Sequence, residues 1–349
     1  MDLGLEAVGF KTLFATDIDY HSCKTLSEGG ERSRKMGLPF LAEAHVLQKD
    51  IREISGFDIL KSTGKKPGEI SLLAGGPPCQ AFSVFGKRKG LDDPRGTLVY
   101  EYLRVISEIQ PQAFIFENVY GLLTIEGGEI FRDLCKKLER PGKGVKYTIS
   151  SFRLNAADFC VPQFRDRIFI VGTRNGVKIE GIEKICGRDV PQRTVMDALR
   201  SLPKIGSRKV SNHTGREHSE RIIERYASLV PGERDSKTRI NKLDKNRPSY
   251  TIIVGSDKGG GKGHVHPDEP REVTPRESAR IQTFPDWWSF SGTSRHPIRQ
   301  IGNAVPPLLA VSVGREIAKK VFSVTPNSFP DSVRLLNQEH LFKDGIPDV

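Results

Sequence analysis

Short apolar runs that end in acidic or turn residues recur through the first half of the chain. Lys11 to Ile18 alternates weakly and ends in Asp17-Ile18-Asp19. Ala44 to Ile51 closes around Asp50, and Glu69 to Ala74 runs into Gly75-Gly76-Pro77-Pro78-Cys79-Gln80. Each reads as a strand bounded by turn residues. Strand ends at Asp17, Asp50 and Cys79 recur about every thirty residues, the βαβ rhythm of a doubly wound parallel sheet.

The remaining pattern fills in around that sheet. Met1 to Phe10 carries an apolar stripe of Leu3, Leu5 and Val8 and stops at Gly9, as a helix does. Asp19 can cap a helix from Tyr20 to Leu26. Thr97 to Ile109 is amphipathic and is stopped by Pro111. Gln112 to Phe116 reads as a buried strand leading into Glu117-Asn118-Val119, and Gly128 to Leu138 as a helix. Tyr147 to Leu154 and Arg167 to Thr173 are β-rich. From about Asn175 apolar strands thin out, with a short basic helix at Ser219 to Leu229. Order returns at Thr274-Pro275-Arg276-Glu277, a capping box with proline at the first helical position. Gln300 to Pro307 opens a last helix reaching about Val321. The division expected is a catalytic domain over 1–174, a separate segment over 175–271, a return to the first domain over 272–322, and a polar, peripheral tail over 323–349.

Composition changes this picture mainly through charge. The 349 residues are 37% hydrophobic, enough for a sizeable core, and carry a net charge of +11. Lys204 to Arg247 holds 12 Lys/Arg against 6 Asp/Glu, so over half the excess lies in that one stretch. A solvated surface gives such a count; a polyanion partner explains it better. No apolar run is long enough to span a membrane, and no signal pattern opens the chain. The five cysteines, Cys23, Cys79, Cys135, Cys160 and Cys186, are odd in number, far apart and never CxxC. That spacing predicts neither a disulfide framework nor a zinc site, and a reducing cytoplasm.

Candidate chemistry gathers at the strand ends. The Gly-Gly-Pro-Pro frame presents Cys79 on a stiff turn where open α/β sheets bind ligands. A lone cysteine is more often a buried apolar residue. Asp17 can accept hydrogen bonds from a ribose diol or, like Asp19, cap a helix. Glu117 comes directly after apolar residues, so it is either salt-bridged or a carboxyl of raised pKa that can move a proton. Arg165 and Arg167, at i and i+2 on a strand, face the same side and suit phosphate or carboxylate contacts, although two surface arginines are the commoner case. Ala81 to Arg95 reads as a basic lid loop or a plain surface loop. Gly259 to Gly263 lacks the glycine and hydroxyl of a phosphate loop around Lys262.

Taken in order, these segments resemble the DNA (cytosine-5)-methyltransferases of bacterial modification type. Gly-Gly-Pro-Pro-Cys79-Gln-Ala-Phe-Ser resembles the nucleophile motif, Glu117-Asn118-Val119 the second catalytic motif, and Gln163-Phe164-Arg165-Asp166-Arg167 the Gln-x-Arg-x-Arg motif. Arg276 to Pro285 and Gln300 to Pro307 resemble the two blocks on the carboxyl side of the recognition region. The likeness covers about residues 1–320. It implies a Rossmann-like methyltransferase sheet, S-adenosylmethionine as methyl donor, no metal, and a flipped-out cytosine in duplex DNA. By motif position Cys79 attacks C6, Glu117 meets the N3/N4 edge, and Arg167 with Arg165 nearby steadies the base. Asp17, Ile18, Asp50, Ile51, Pro78, Leu98, Asn303 and Val305 line the donor pocket. Residues 175–271 become the target-recognition region, and a cognate restriction endonuclease becomes an expected partner. The expected setting is cytoplasmic and nucleoid-associated, with a monomer or a chain complemented by a second one.

One departure stands out. The family's opening strand and its glycine loop, Asp-Leu-Phe-x-Gly-x-Gly-Gly, have no counterpart; Met1 to Phe10 aligns with the family segment just past that loop. A start codon placed too late or a second chain supplying the piece is preferred over a truncated gene with an impaired product. A tRNA-directed relative would carry a Cys-Phe-Thr segment, which is absent. A DNA-binding protein without catalysis is the alternative from another class.

Overall fold

The strands fall into two pieces. In the computed structural model, which describes residues 1–78, 97–187, 189–252, 263–293 and 295–348, β1 (Phe14–Asp17) pairs in parallel with β2 (His45–Gln48). A four-stranded sheet runs in the order β3 (Leu72–Gly75), β4 (Ala113–Val119), β6 (Asp166–Thr173), β5 (Thr148–Asn155). β3 and β4 are parallel, whereas β6 is antiparallel to both its neighbours. Both pieces pack on one helical layer: Phe14 of β1, Leu47 of β2 and Leu73 of β3 all meet the cluster of Ile59 and Leu60 on α3 (Gly56–Thr63) and Val105 and Ile109 on α4 (Thr97–Ile109). The expected sheet lacking its first strand is thus seen as two sheets. Among the described residues, β1 and β3 each have a strand neighbour on one side only.

Local chemistry sets the element ends. Asp19 caps α2 (Tyr20–Lys35) by accepting the Ser22 N–H at 2.7 Å, and Ser55 and Asp58 form a capping box on α3. The helix α2 runs past the expected Leu26 because its inner face is made of Thr25, Gly29, Gly30 and Ser33, which carry no apolar period. Thr274, Pro275 and Glu277 open α8 (Pro275–Ile281) as the sequence predicts; before it come α5 (Glu129–Glu139), α6 (Val195–Leu199) and α7 (Glu220–Ser228). The single closing helix expected from Gln300 is two: α9 (Arg295–Asn303) ends before Pro306, and α10 (Pro307–Phe322) starts anew with proline in its first turn.

Three expectations are corrected by packing. Residues 323–349 are not peripheral: Phe329 and Val333 on α11 (Phe329–Leu335), with Leu336, Leu341 and Phe342, are buried in the main core. The compositional change at Asn175 is not a break in packing either. Ile179, Ile182, Ile185, Val195 and Ala198 join the main core, and among the described residues Tyr226, Leu229, Ile240 and Val265 form a cluster of their own. Finally, Cys160 and Cys186 are joined as a disulfide across 26 positions of sequence. The Asp158 carbonyl accepts the backbone N–H groups of Ile185 and Cys186, which brings the two thiols together from distant places in the chain. Reduction is expected to cost about 3 kcal/mol by releasing that loop in the unfolded chain. Urea unfolding with and without dithiothreitol measures it.

The first helix, α1 (Asp2–Ala7), carries a buried acid. Glu6 is 3% exposed and accepts the N–H groups of Thr12 at 2.9 Å and Leu41 at 2.7 Å. Burial outweighs these bonds and pushes its carboxyl up to about 7. The unfolded chain ionises this group near 4.5, so between about 4.5 and 7 the folded state holds the extra proton. Stability therefore falls as pH rises through that window, by about 3 kcal/mol from this group. Glu6→Gln is expected to flatten this part of the profile, measured as urea midpoints at pH 5 and pH 8.

Candidate active site

The site is built where β3, β4 and β6 end or begin. Glu117 lies inside β4, and the antiparallel register sets Val119 opposite Arg167. Residues 117 and 119 share a face, so Glu117 and Arg167 become diagonal neighbours on it. Their side chains meet with Arg167 Nε 3.1 Å from Glu117 Oε1. Glu117 is 8% exposed. Burial raises its carboxyl pKa; the Arg167 charge, then Arg165 and the Met1 ammonium, work against that rise. The pair thus sets a buried carboxyl against a fixed cation.

Arg165 lies just ahead of β6 rather than on it, and it is 1% exposed. Its Nη2 donates to the carbonyls of Gly302 at 2.8 Å and Ala304 at 3.1 Å. Its Nε and Nη1 are buried with no hydrogen-bond partner among the described residues. Burial, with the neighbouring Arg167 charge, pulls the guanidinium down to about 9, so it remains a cation at neutral pH. Two buried donors without acceptors are costly to leave unmet.

The glycine turn is fitted against this carboxylate. A Cβ at Gly76 would stand 2.9 Å from Glu117 Oε2, and one at Gly75 would stand 2.8 Å from the Tyr102 ring. Asn118 Nδ2 donates to the Pro77 carbonyl at 2.7 Å. The turn is therefore pinned to β4 as far as Pro78. Cys79, the lid segment to Arg95 and Gly259 to Lys262 lie outside the described residues.

The expected donor-site residues divide by position. Asp17, Ile18, Asp50, Ile51 and Pro78 all lie at or just past the carboxyl ends of the parallel strands β1, β2 and β3. Ile18 is 64% exposed, an apolar surface beside the Asp17 carboxylate. Asp17 Oδ1 accepts the Asp19 N–H at 2.8 Å. Asp50 caps the short 3-10 turn Ile51–Glu53 and is ion-paired with Arg52, so its carboxylate is already engaged. Leu98 is half-buried in the first turn of α4. Asn303 is exposed at the end of α9, while Val305 is buried in the main core. The chain segment of the last two is tied to Arg165 through the Gly302 and Ala304 carbonyls. Sequence reasoning gave no role to Asn118 or Gln163, although each sits inside a quoted motif. It also missed Arg299, whose charge faces both Asp17 and Asp19.

The family model for C-5 cytosine-specific DNA methylases matches residues 1–319. The chain belongs to that family. The methylase is 32% identical to the type II methyltransferase M.XorII of Xanthomonas oryzae pv. oryzae, over 91% of this chain and 82% of that relative. It is 33% identical to the type II methyltransferase M1.HphI of Haemophilus parahaemolyticus, over 91% of this chain and 83% of that one. Among solved structures it is similar to a prophage-encoded DNA modification methyltransferase of E. coli. There the TM-score is 0.74 at 28% identity, covering 92% of this chain and 95% of that one. The α/β sheet of the methylase is thus that of a DNA cytosine-5 methyltransferase. Among the described residues, no helix is long and apolar enough to cross a membrane.

Proposed function

We infer that this methylase transfers a methyl group from S-adenosylmethionine to C5 of a cytosine flipped out of duplex DNA, as the modification arm of a restriction system. The observation that carries the reading is the buried Glu117–Arg167 pair packed against the turn that leads into Cys79. Cytosine C5 is a weak nucleophile. Addition of the Cys79 thiolate to C6 forms a C6–S bond and moves the ring electrons toward N3 and C5. Glu117, its pKa raised by burial, supplies the N3 proton as this happens. Arg167 holds the Glu117 carboxyl in place and faces the base oxygen, and the free N–H groups of Arg165 add positive potential beside it. Once C5 carries the methyl group, loss of the C5 proton to water, expulsion of the Cys79 thiolate and return of the N3 proton to Glu117 restore the neutral ring.

The donor contributes the methyl group. Asp17 suits its ribose hydroxyls and the exposed Ile18 face suits its adenine. Ile51, Pro78, Leu98, Asn303 and Val305 complete the pocket in this reading, with Asp50 acting through its backbone turn, since its carboxylate is held by Arg52. The basic stretch from Lys204 to Arg247 supplies the DNA face, with residues 175–271 as the recognition region.

A second reading is favoured by the edges that β1 and β3 leave without a strand neighbour among the described residues: a homologue that binds DNA but needs a further strand for catalysis. Calorimetry separates the two. Donor binding by this chain supports the first reading, and DNA binding without donor binding supports the second. The catalytic claim is tested by trapping Cys79 on 5-fluorocytosine duplex DNA.

A further inference from the structure

We propose that the buried Gln163–Gln282 pair couples the recognition region to the catalytic arginine, making both glutamines positioning residues. The proposal rests on the methyltransferase reading above. Both side chains are fully buried. Gln163 Nε2 donates to Gln282 Oε1, and Gln282 Nε2 donates to the Ala304 carbonyl at 2.6 Å. On the other side the Ile252 N–H donates to Gln163 Oε1 at 3.4 Å. The bonds run in one sense, from the backbone of residue 252 through two amides to the carbonyl of residue 304.

Each end of this relay touches something that function needs. The Ala304 carbonyl is one of the two that hold Arg165 Nη2. With its Nε and Nη1 unpartnered, Arg165 is aimed by those two carbonyls alone among the described residues. Gln282 therefore fixes where one of Arg165's two anchors sits. At the other end, residues 249–252 lead directly into the stretch 253–262 of the recognition region. They are stitched to the motif by backbone bonds: Phe164 N–H to Ser249 O at 2.8 Å, and Ser249 N–H to Pro162 O at 2.9 Å. The Thr251 hydroxyl adds a bond to Phe164 O at 2.7 Å.

Leucines of similar size would fill the same space without burying any amide. A buried amide pair is stable only with its bonds made, and that requirement fixes relative position sharply. A shift of residues 249–252 on reading DNA would move Gln163, then Gln282, then the carbonyl that aims Arg165. A merely structural pair would instead support each half of the molecule locally.

Hydrogen exchange on the free protein tests the coupling without reference to activity. In Gln163→Leu the expected result is exchange at least tenfold faster at Ala304 and Val305, to which Gln163 makes no hydrogen bond of its own among the described residues. Unchanged exchange there overturns the proposal. A second arm uses a randomised duplex library with S-adenosylmethionine, with C5 methylation read by sequencing. Gln163→Leu and Gln282→Leu are each expected to lower kcat ten- to a hundredfold, with DNA affinity retained and sequence preference flattened. The double variant should be no worse than the poorer single one. Multiplicative losses with preference intact overturn the coupling. Absence of methylation by the unaltered chain refutes the methyltransferase reading instead, and the exchange result still decides the relay.

Discussion

Arg167→Leu is expected to lower kcat/KM by at least a hundredfold and to destabilise the fold by about 3 kcal/mol. The reason is the carboxylate it leaves behind. Glu117 and Arg167 are both largely buried, with Nε and Oε1 3.1 Å apart. Breaking a buried pair from one side strands the other charge in a poorly polarisable interior, at about 3–5 kcal/mol. Keeping its proton lets Glu117 offset part of that cost, though not the lost ion pair. Its pKa is already raised by burial, and Arg167 is the strongest opposing influence. Without Arg167 the carboxyl pKa climbs further, so the pH at which activity falls on the alkaline side should move up. A folded pKa above the unfolded one means stability is lost as pH rises through that interval, and the interval widens in the variant. Arg167→Lys is the informative companion. It restores the charge without the planar fork, so stability should recover more than turnover does. Parallel pH–rate profiles and urea midpoints for the three proteins check this.

Gly76→Ala should cost turnover first, whereas Gly75→Ala should cost stability first. The two glycines are adjacent but meet different neighbours. An added Cβ at residue 76 stands 2.9 Å from Glu117 Oε2 and 3.3 Å from the Glu117 carbonyl. The carboxylate cannot simply swing away, because Arg167 holds it. Either Glu117 leaves its partner or the turn carrying Cys79 lifts, and a misplacement of that size is worth about a hundredfold in rate. At residue 75 the Cβ stands 2.8 Å from the Tyr102 ring, whose hydroxyl donates to the Ile115 carbonyl at 2.7 Å. That ring is buried and anchored, so the overpacking should appear as about 1–3 kcal/mol of lost stability. Thermal denaturation beside single-turnover methyl transfer separates the two effects.

The sequence revealed most where pattern and chemistry coincide. The capping box at Thr274 and Glu277, the Asp19 cap and the helix from Thr97 to Ile109 are all local, and each is found where periodicity and end signals place it. What escaped was long-range or carried by small polar residues. Nothing in a separation of fifty residues says that Glu117 and Arg167 touch; the antiparallel register of β4 and β6 decides it. Cys160 and Cys186 looked unpaired because their bond depends on the carbonyl of Asp158 drawing residues 185 and 186 inward. The final segment looked peripheral because Phe329, Val333 and Phe342 are diluted among polar neighbours, although all three are buried. The Gln163–Gln282 pair is invisible in the same way: two ordinary polar residues, 119 positions apart, that only folding brings into contact.

Cys79, which follows the Gly75–Pro78 turn in sequence, is the proposed nucleophile toward cytosine. Incubation with S-adenosylmethionine and duplex DNA carrying 5-fluorocytosine tests it most directly, because fluorine at C5 blocks the final elimination and leaves the enzyme attached. The expected product is a denaturation-resistant protein–DNA adduct that maps by mass spectrometry to Cys79 and disappears in Cys79→Ala. An adduct that persists in Cys79→Ala, or methyl transfer to cytosine by that variant, would contradict it.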